Sequence, residues 1–159
     1  LYKIIENGVF KEIKLDTALE PNGLGTGAAV ADIDNDGILE LLISHGESGL
    51  QPLTLFKYNS EEKGSFLRVR PLNMHGAPAR GATVTLITNK RKHSKTIDAG
   101  SGYLCQMEPV AHYGIRKNET EFKFKVKWTN GDEDFFDVKN LNETIIVRQS
   151  KWKNLLLLF

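Results

Sequence analysis

Phe122-Lys123-Phe124-Lys125-Val126-Lys127-Trp128 runs directly into Thr129-Asn130-Gly131. Apolar and basic residues alternate strictly along this stretch. A period of two is the signature of a β-strand with one buried and one wet face, because successive side chains leave a strand on opposite sides. Asn-Gly readily takes the positive φ angles of a tight hairpin turn, so the chain is expected to fold back with a return strand over 133–138. Helical periodicity is nearly absent elsewhere, and the whole chain therefore reads as all-β.

Working outward, the same alternation recurs. In 65–71, Leu67 and Val69 face inward while Arg68 and Arg70 face solvent; in 82–88, Val84 and Leu86 alternate with Thr83 and Thr85. Residues 90–93 form a polar hairpin tip, 94–98 return, and 144–148 supply a last strand. About seven short strands over 61–150 predict a small antiparallel β-sandwich or barrel. Residues 1–60 are expected to form a separate unit. Apolar strands over 28–33 and 39–44 flank an acidic loop, and 53–58 is a third strand; three strands alone are marginal, which suggests part of one propeller blade. The boundary falls in 58–64, and 151–159 form a tail of no evident role.

The loop reads Asp32-Ile33-Asp34-Asn35-Asp36-Gly37-Ile38-Leu39-Glu40. Carboxylates stand at positions one, three, five and nine. A hard cation such as Ca²⁺ takes six to eight oxygens, and alternating acidic side chains converge on one point when the backbone wraps around it. Gly37 permits the wrap, the Ile38 carbonyl is the natural backbone ligand, and Asn35 points away. An EF-hand would need Glu at position twelve and flanking helices; position twelve is Ile43, inside an apolar strand. The metal set read from sequence is thus Asp32, Asp34, Asp36, Ile38 and Glu40. A plain acidic turn is the competing reading, but three crowded carboxylates repel one another without a cation. Mg²⁺, which keeps its waters, suits the loop less well.

Other runs invite chemistry with less specificity. Residues 23–27, Gly-Leu-Gly-Thr-Gly, lack the spacing of a phosphate loop and lead into a strand. Cys105, Glu108 and His112 allow a zinc site to be drawn, with His75 or His93 as fourth ligand, or a thiol nucleophile with its base; packing is the blander account. Lys90, Arg91, Lys92 and Lys95 form a basic cluster suited to sulfated glycans, or simply a solvated turn. Asn118-Glu119-Thr120 and Asn142-Glu143-Thr144 fit the N-glycosylation pattern.

Composition narrows the classes. Residues 1–60 hold four Lys/Arg against nine Asp/Glu, and 61–159 hold 17 against 11, so an acidic front meets a basic back. The lysines alternate along strands instead of gathering on one aromatic-lined face, which argues against nucleic acid. No apolar run approaches the roughly 18 residues of a membrane helix. A single cysteine makes no internal disulfide. The chain opens at Leu1 inside a strand-like run and is expected to be a fragment of a larger protein.

These residues resemble the C-terminal part of the cartilage acidic protein family, in which an FG-GAP/VCBS calcium repeat precedes an ASPIC/UnbV domain. The likeness rests on Gly27-Ala28-Ala29-Val30-Ala31-Asp32 with the acidic loop, on Ser44-His45-Gly46-Glu47, and on Arg80-Gly81-Ala82-Thr83-Val84. It rests also on Gly100-Ser101-Gly102-Tyr103-Leu104-Cys105, on Gln106-Met107-Glu108-Pro109-Val110-Ala111-His112-Tyr113-Gly114, and on Trp128-Thr129-Asn130-Gly131. The family often has Phe at the position of Tyr113. The resemblance implies an extracellular, calcium-binding, glycosylated protein with an integrin-α-like propeller and no enzymatic activity. Its partners would be matrix or cell-surface proteins. The expected function is a calcium-stabilised structural or interaction module. The alternatives are a metal- or thiol-dependent enzyme at Cys105, Glu108 and His112, and a glycan binder at the basic hairpin.

Overall fold

The computed structural model describes residues 2–5, 8–12, 25–46, 53–58, 64–103 and 105–150. Expectations about 59–63 and the tail 151–159 lie outside them. Twelve strands are described and no α-helix: β1 (Tyr2–Ile4), β2 (Phe10–Glu12), β3 (Gly25–Ala31), β4 (Glu40–His45), β5 (Thr54–Phe56), β6 (Ser65–Leu72), β7 (Thr83–Ile87), β8 (Lys92–Thr96), β9 (Ala111–Ile115), β10 (Lys123–Lys127), β11 (Glu133–Asp137) and β12 (Glu143–Arg148). No helix among them is long and apolar enough to cross a membrane.

Beyond residue 64 two open sheets face each other, ordered β11-β10-β7-β8 and β12-β6-β9. Their inner faces supply one core: Leu67 and Val69 from β6, Val84 and Leu86 from β7, Phe124 and Val126 from β10, with Tyr113, Trp128 and Val147. The alternation seen in sequence is realised, since Phe124, Val126 and Trp128 are buried while Lys123 and Lys127 are exposed. The predicted hairpin also forms. Gly131 takes φ 92°, and the Trp128 amide donates to the Asp132 carbonyl at 2.8 Å. Tyr113 ties the layers together, its hydroxyl donating to the Val84 carbonyl at 2.8 Å. Burial pushes that hydroxyl's pKa far above its ordinary value.

Two expectations need correction. The unit is not purely antiparallel, because β12 runs parallel to β6, with Ile145 opposite Val69; a long connection through five other strands separates them, which parallel pairing permits and a hairpin does not. It is not closed into a barrel. β9 lies within the run that holds Cys105, Glu108 and His112, and its Ala111 and Tyr113 are buried two apart as in any half-buried strand, in line with the packing account.

In the N-terminal part, β1 and β2 form a hairpin, and β3-β4-β5 form an antiparallel meander. The meander's register places the site. Ala31 pairs with Glu40, and Leu41 pairs with Phe56, so one step beyond β5 Lys57 comes opposite Glu40. His45 is buried at the far end of β4, within 3.0 Å of the Thr54 hydroxyl.

A candidate cation site docked on a β-sandwich

The loop joining β3 to β4 wraps on itself through its own side chains. The Gly37 amide donates to Asp32 Oδ2 at 3.2 Å, the Ile38 amide to Asp36 Oδ1 at 2.9 Å, and the Ile33 amide to Glu40 Oε2 at 2.8 Å. Asn35 and Gly37 take the left-handed backbone the wrap requires, at φ 59° and 86°. Asn tolerates that region and Gly enters it freely.

The result gathers charge. One ligand atom each from Asp32, Asp34 and Glu40 lie within 4.8 Å of one another. The Asp32 side chain is fully buried and that of Glu40 is 4% exposed. Each spends one oxygen on the backbone bonds above, while Asp32 Oδ1 and Glu40 Oε1 are buried with no hydrogen-bond partner. Oxygens orphaned in this way cost roughly 1–3 kcal/mol each, more when charged. Close packing of carboxylates with unspent oxygens is what a hard, oxygen-seeking cation requires. Asp36 stands at the rim, engaged with the Ile38 amide.

Two basic side chains answer this charge, and sequence reading anticipated neither. Arg68 shares a strand with Arg70 and an outward direction with it, yet Arg70 is exposed and Arg68 is 3% exposed. Its guanidinium lies 3.3 Å from Asp32 Oδ2, donates to Asn35 Oδ1 at 2.8 Å, and meets Glu108 Oε2 at 2.5 Å. The outer face of β6 is therefore not wet at Arg68, where the acidic loop covers it. Phe66, also on that face, lies so close under Gly37 that a Cβ at position 37 would run into its ring. The Phe66 ring also stacks nearly parallel to His112, with centroids 5.9 Å apart.

Lys57 meets the other carboxylates. Its ammonium pairs with Asp34 and lies 3.6 Å from Asp36 Oδ2 and 3.8 Å from Glu40 Oε1. The one signal available was that Lys57 is the lone Lys or Arg in residues 15–62.

The remaining candidates do not assemble. Glu108 and His112 line a cavity of about 150 Å³ between the meander and the sandwich, with Val30, Leu39 and Lys95. Cys105 lines a different one, against Gly27, Ala29, Leu42 and Ser44. Glu108 is committed to Arg68. Burial, then the charge of Lys95, lowers the His112 pKa. Among the described residues the three-carboxylate group is the only cluster of at least three metal-ligating side chains, so a zinc site at Cys105, Glu108 and His112, with His75 or His93 as fourth ligand, is not formed. The basic hairpin is split as well. Lys90 and Lys92 are exposed, whereas Arg91 pairs with buried Glu119 at 2.5 Å and Lys95 lies over the Tyr113 ring at 5.9 Å. Both sequon asparagines are exposed; Asn142 Oδ1 also accepts from the Phe66 amide at 3.0 Å.

A family description, ASPIC and UnbV, matches residues 73–154, more than half of the chain. The chain belongs to the ASPIC and UnbV family. The ASPIC/UnbV match begins one residue after β6 ends, although β6 carries Leu67 and Val69 in the same core. Cartilage acidic protein 1 of human is 48% identical over 136 residues, covering 82% of this chain and 20% of the relative. The same protein of Xenopus tropicalis is 51% identical over 122 residues, covering 76% and 19%. That of mouse is 47% identical over 136 residues, covering 82% and 21%. This chain thus spans about a fifth of the length of the curated relatives it matches, and these alignments extend well beyond the family match toward the N-terminus.

Proposed function

We propose that this chain is a calcium-binding, non-catalytic structural or interaction module of an extracellular protein. The side chains of Asp32, Asp34, Asp36 and Glu40 and the carbonyl of Ile38 would hold one Ca²⁺. The observation that carries the reading is the convergence of three carboxylates, two of them buried with an oxygen that accepts no hydrogen bond. An ion there supplies the missing charge and pins the loop that seats the meander on the sandwich. The meander β3-β4-β5 would be part of an FG-GAP/VCBS-type propeller blade, and the partner a matrix or cell-surface protein. Likeness to relatives named for cartilage supports the extracellular assignment, as does the exposure of Asn118 and Asn142, the two sites for N-linked glycan.

The test is thermal unfolding of the chain with calcium titrated from chelator to about 10 mM, a range set by the roughly 10⁻⁴–10⁻³ M affinities of extracellular calcium modules. An ion that binds only the folded state stabilises it as RT ln(1 + [L]/Kd), about 2.7 kcal/mol at a hundredfold excess over Kd. A calcium-specific rise in Tm, smaller with magnesium and lost in an Asp34→Asn, Asp36→Asn double variant, is expected. An unchanged Tm across the titration refutes the site.

A further inference from the structure

The acidic loop already has two cations of its own, and they differ in one decisive respect. The Arg68 side chain is 3% exposed and bonded on three sides; the Lys57 side chain is 48% exposed and held only by carboxylates. Arg68 cannot leave without dragging a buried guanidinium through the interface. Lys57 sits at the end of a flexible four-carbon stem and reaches water by rotating away.

Lys57 contacts the residues a calcium ion would use. Its ammonium meets Asp34, Asp36 and Glu40, and the strand register puts it there, since position 57 comes opposite Glu40 across the β4–β5 pair. Side chains directly opposite on neighbouring strands have Cβ atoms about 5 Å apart. An ammonium and a divalent ion cannot both occupy the same ring of carboxylate oxygens.

Resting on the calcium reading above, we propose that Lys57 is a tethered counter-ion of this site. It neutralises the loop when no divalent ion is bound, and an arriving Ca²⁺ displaces it into solvent while Arg68 stays in place. No bond is made or broken; one bound cation is exchanged for another. Two consequences follow. The ion-free loop is partly held together by its own lysine, so the meander stays seated at low calcium. The calcium affinity is set below what the carboxylates alone would provide, because each binding event first breaks the ammonium's ion pairs. Exposed pairs are individually weak, and three of them together correspond to about tenfold in affinity.

The experiment uses the full chain as wild type, Lys57→Met and Lys57→Arg, with calcium chloride titrated calorimetrically and Tm measured in chelator and in saturating calcium. Lys57→Met is expected to lower the Tm in chelator, to bind calcium about tenfold more tightly, and to show a larger calcium-induced rise in Tm. Lys57→Arg, which keeps the charge, is expected to behave like wild type in chelator. Calcium binding of equal or weaker affinity in Lys57→Met, with wild-type binding intact, overturns the exchange alone. No calcium response in any of the three proteins overturns the site and the exchange together.

Discussion

Arg68→Met removes one side chain from beneath the acidic loop, and the structure says how much should follow. Methionine keeps the apolar stem and loses the guanidinium. Asp32, whose side chain is fully buried, then has no cation, and Asn35 and Glu108 lose a donor each. Breaking a buried pair by deleting one partner costs roughly 3–5 kcal/mol, because the remaining charge is neither paired nor hydrated. The loss is capped by the free energy of docking, since the meander is able to let go and rehydrate Asp32. The control is Arg70→Met, two residues on, on the same strand face but exposed; a change there stays within about 0.5 kcal/mol. At roughly 2–4 °C per kcal/mol for a chain of this size, Arg68→Met lowers the Tm by about 6–20 °C in chelator, while Arg70→Met hardly moves it. Urea denaturation gives the free energies, and amide exchange at Gly37 and Ile38 reports whether the loop has come off. Equal, small effects of the two substitutions would refute a loop seated on β6.

Tyr113→Phe leaves the Val84 carbonyl without its buried donor, at a cost of about 1 kcal/mol in urea denaturation; a neutral result means the hydroxyl does not bridge the layers. Burial lowers the pKa of both His93 and His112, helped by Arg91 beside the first and Lys95 beside both. Each binds its proton less readily folded than unfolded. Their contribution to stability is therefore complete above the unfolded value of about 6.5 and is lost as pH falls through the folded values. The urea midpoint is expected to drop between pH 7.5 and 5.5, with a shallower slope in His112→Gln; a midpoint that rises on acidification contradicts this.

Seven strands of the sandwich, the Asn130-Gly131 turn and the carboxylates of the loop are local patterns. Phe124, Val126 and Trp128 announce a buried face because a strand has period two whatever it packs on. Asp32, Asp34, Asp36 and Glu40 announce a cation because their spacing is set along one short loop. Six of the seven strands were legible in this way, to within a residue or two. The seventh, β9, was not placed as a strand: Ala111, His112, Tyr113, Gly114 and Ile115 lack a clean apolar-polar alternation, although Ala111 and Tyr113 carry the packing.

Long-range pairing has no such local trace. Nothing near Glu143 indicates that its strand joins β6 in parallel, 76 residues back in register. Alternation assigns Arg68 and Arg70 to the same outer face, and it does so correctly. Whether that face meets water or another part of the chain depends on where residues 32–37 come to rest, so one arginine ends exposed and the other buried against Asp32. Lys57 is a further case, since the two-step register of β3, β4 and β5 brings it to Glu40. The sequence alone determined an all-β chain with a sharply turned acidic loop, because each element's pattern is written within a few consecutive residues. Only the tertiary structure decided what lies beneath that loop and which cations already share it, because those contacts join residues 17 to 40 positions apart.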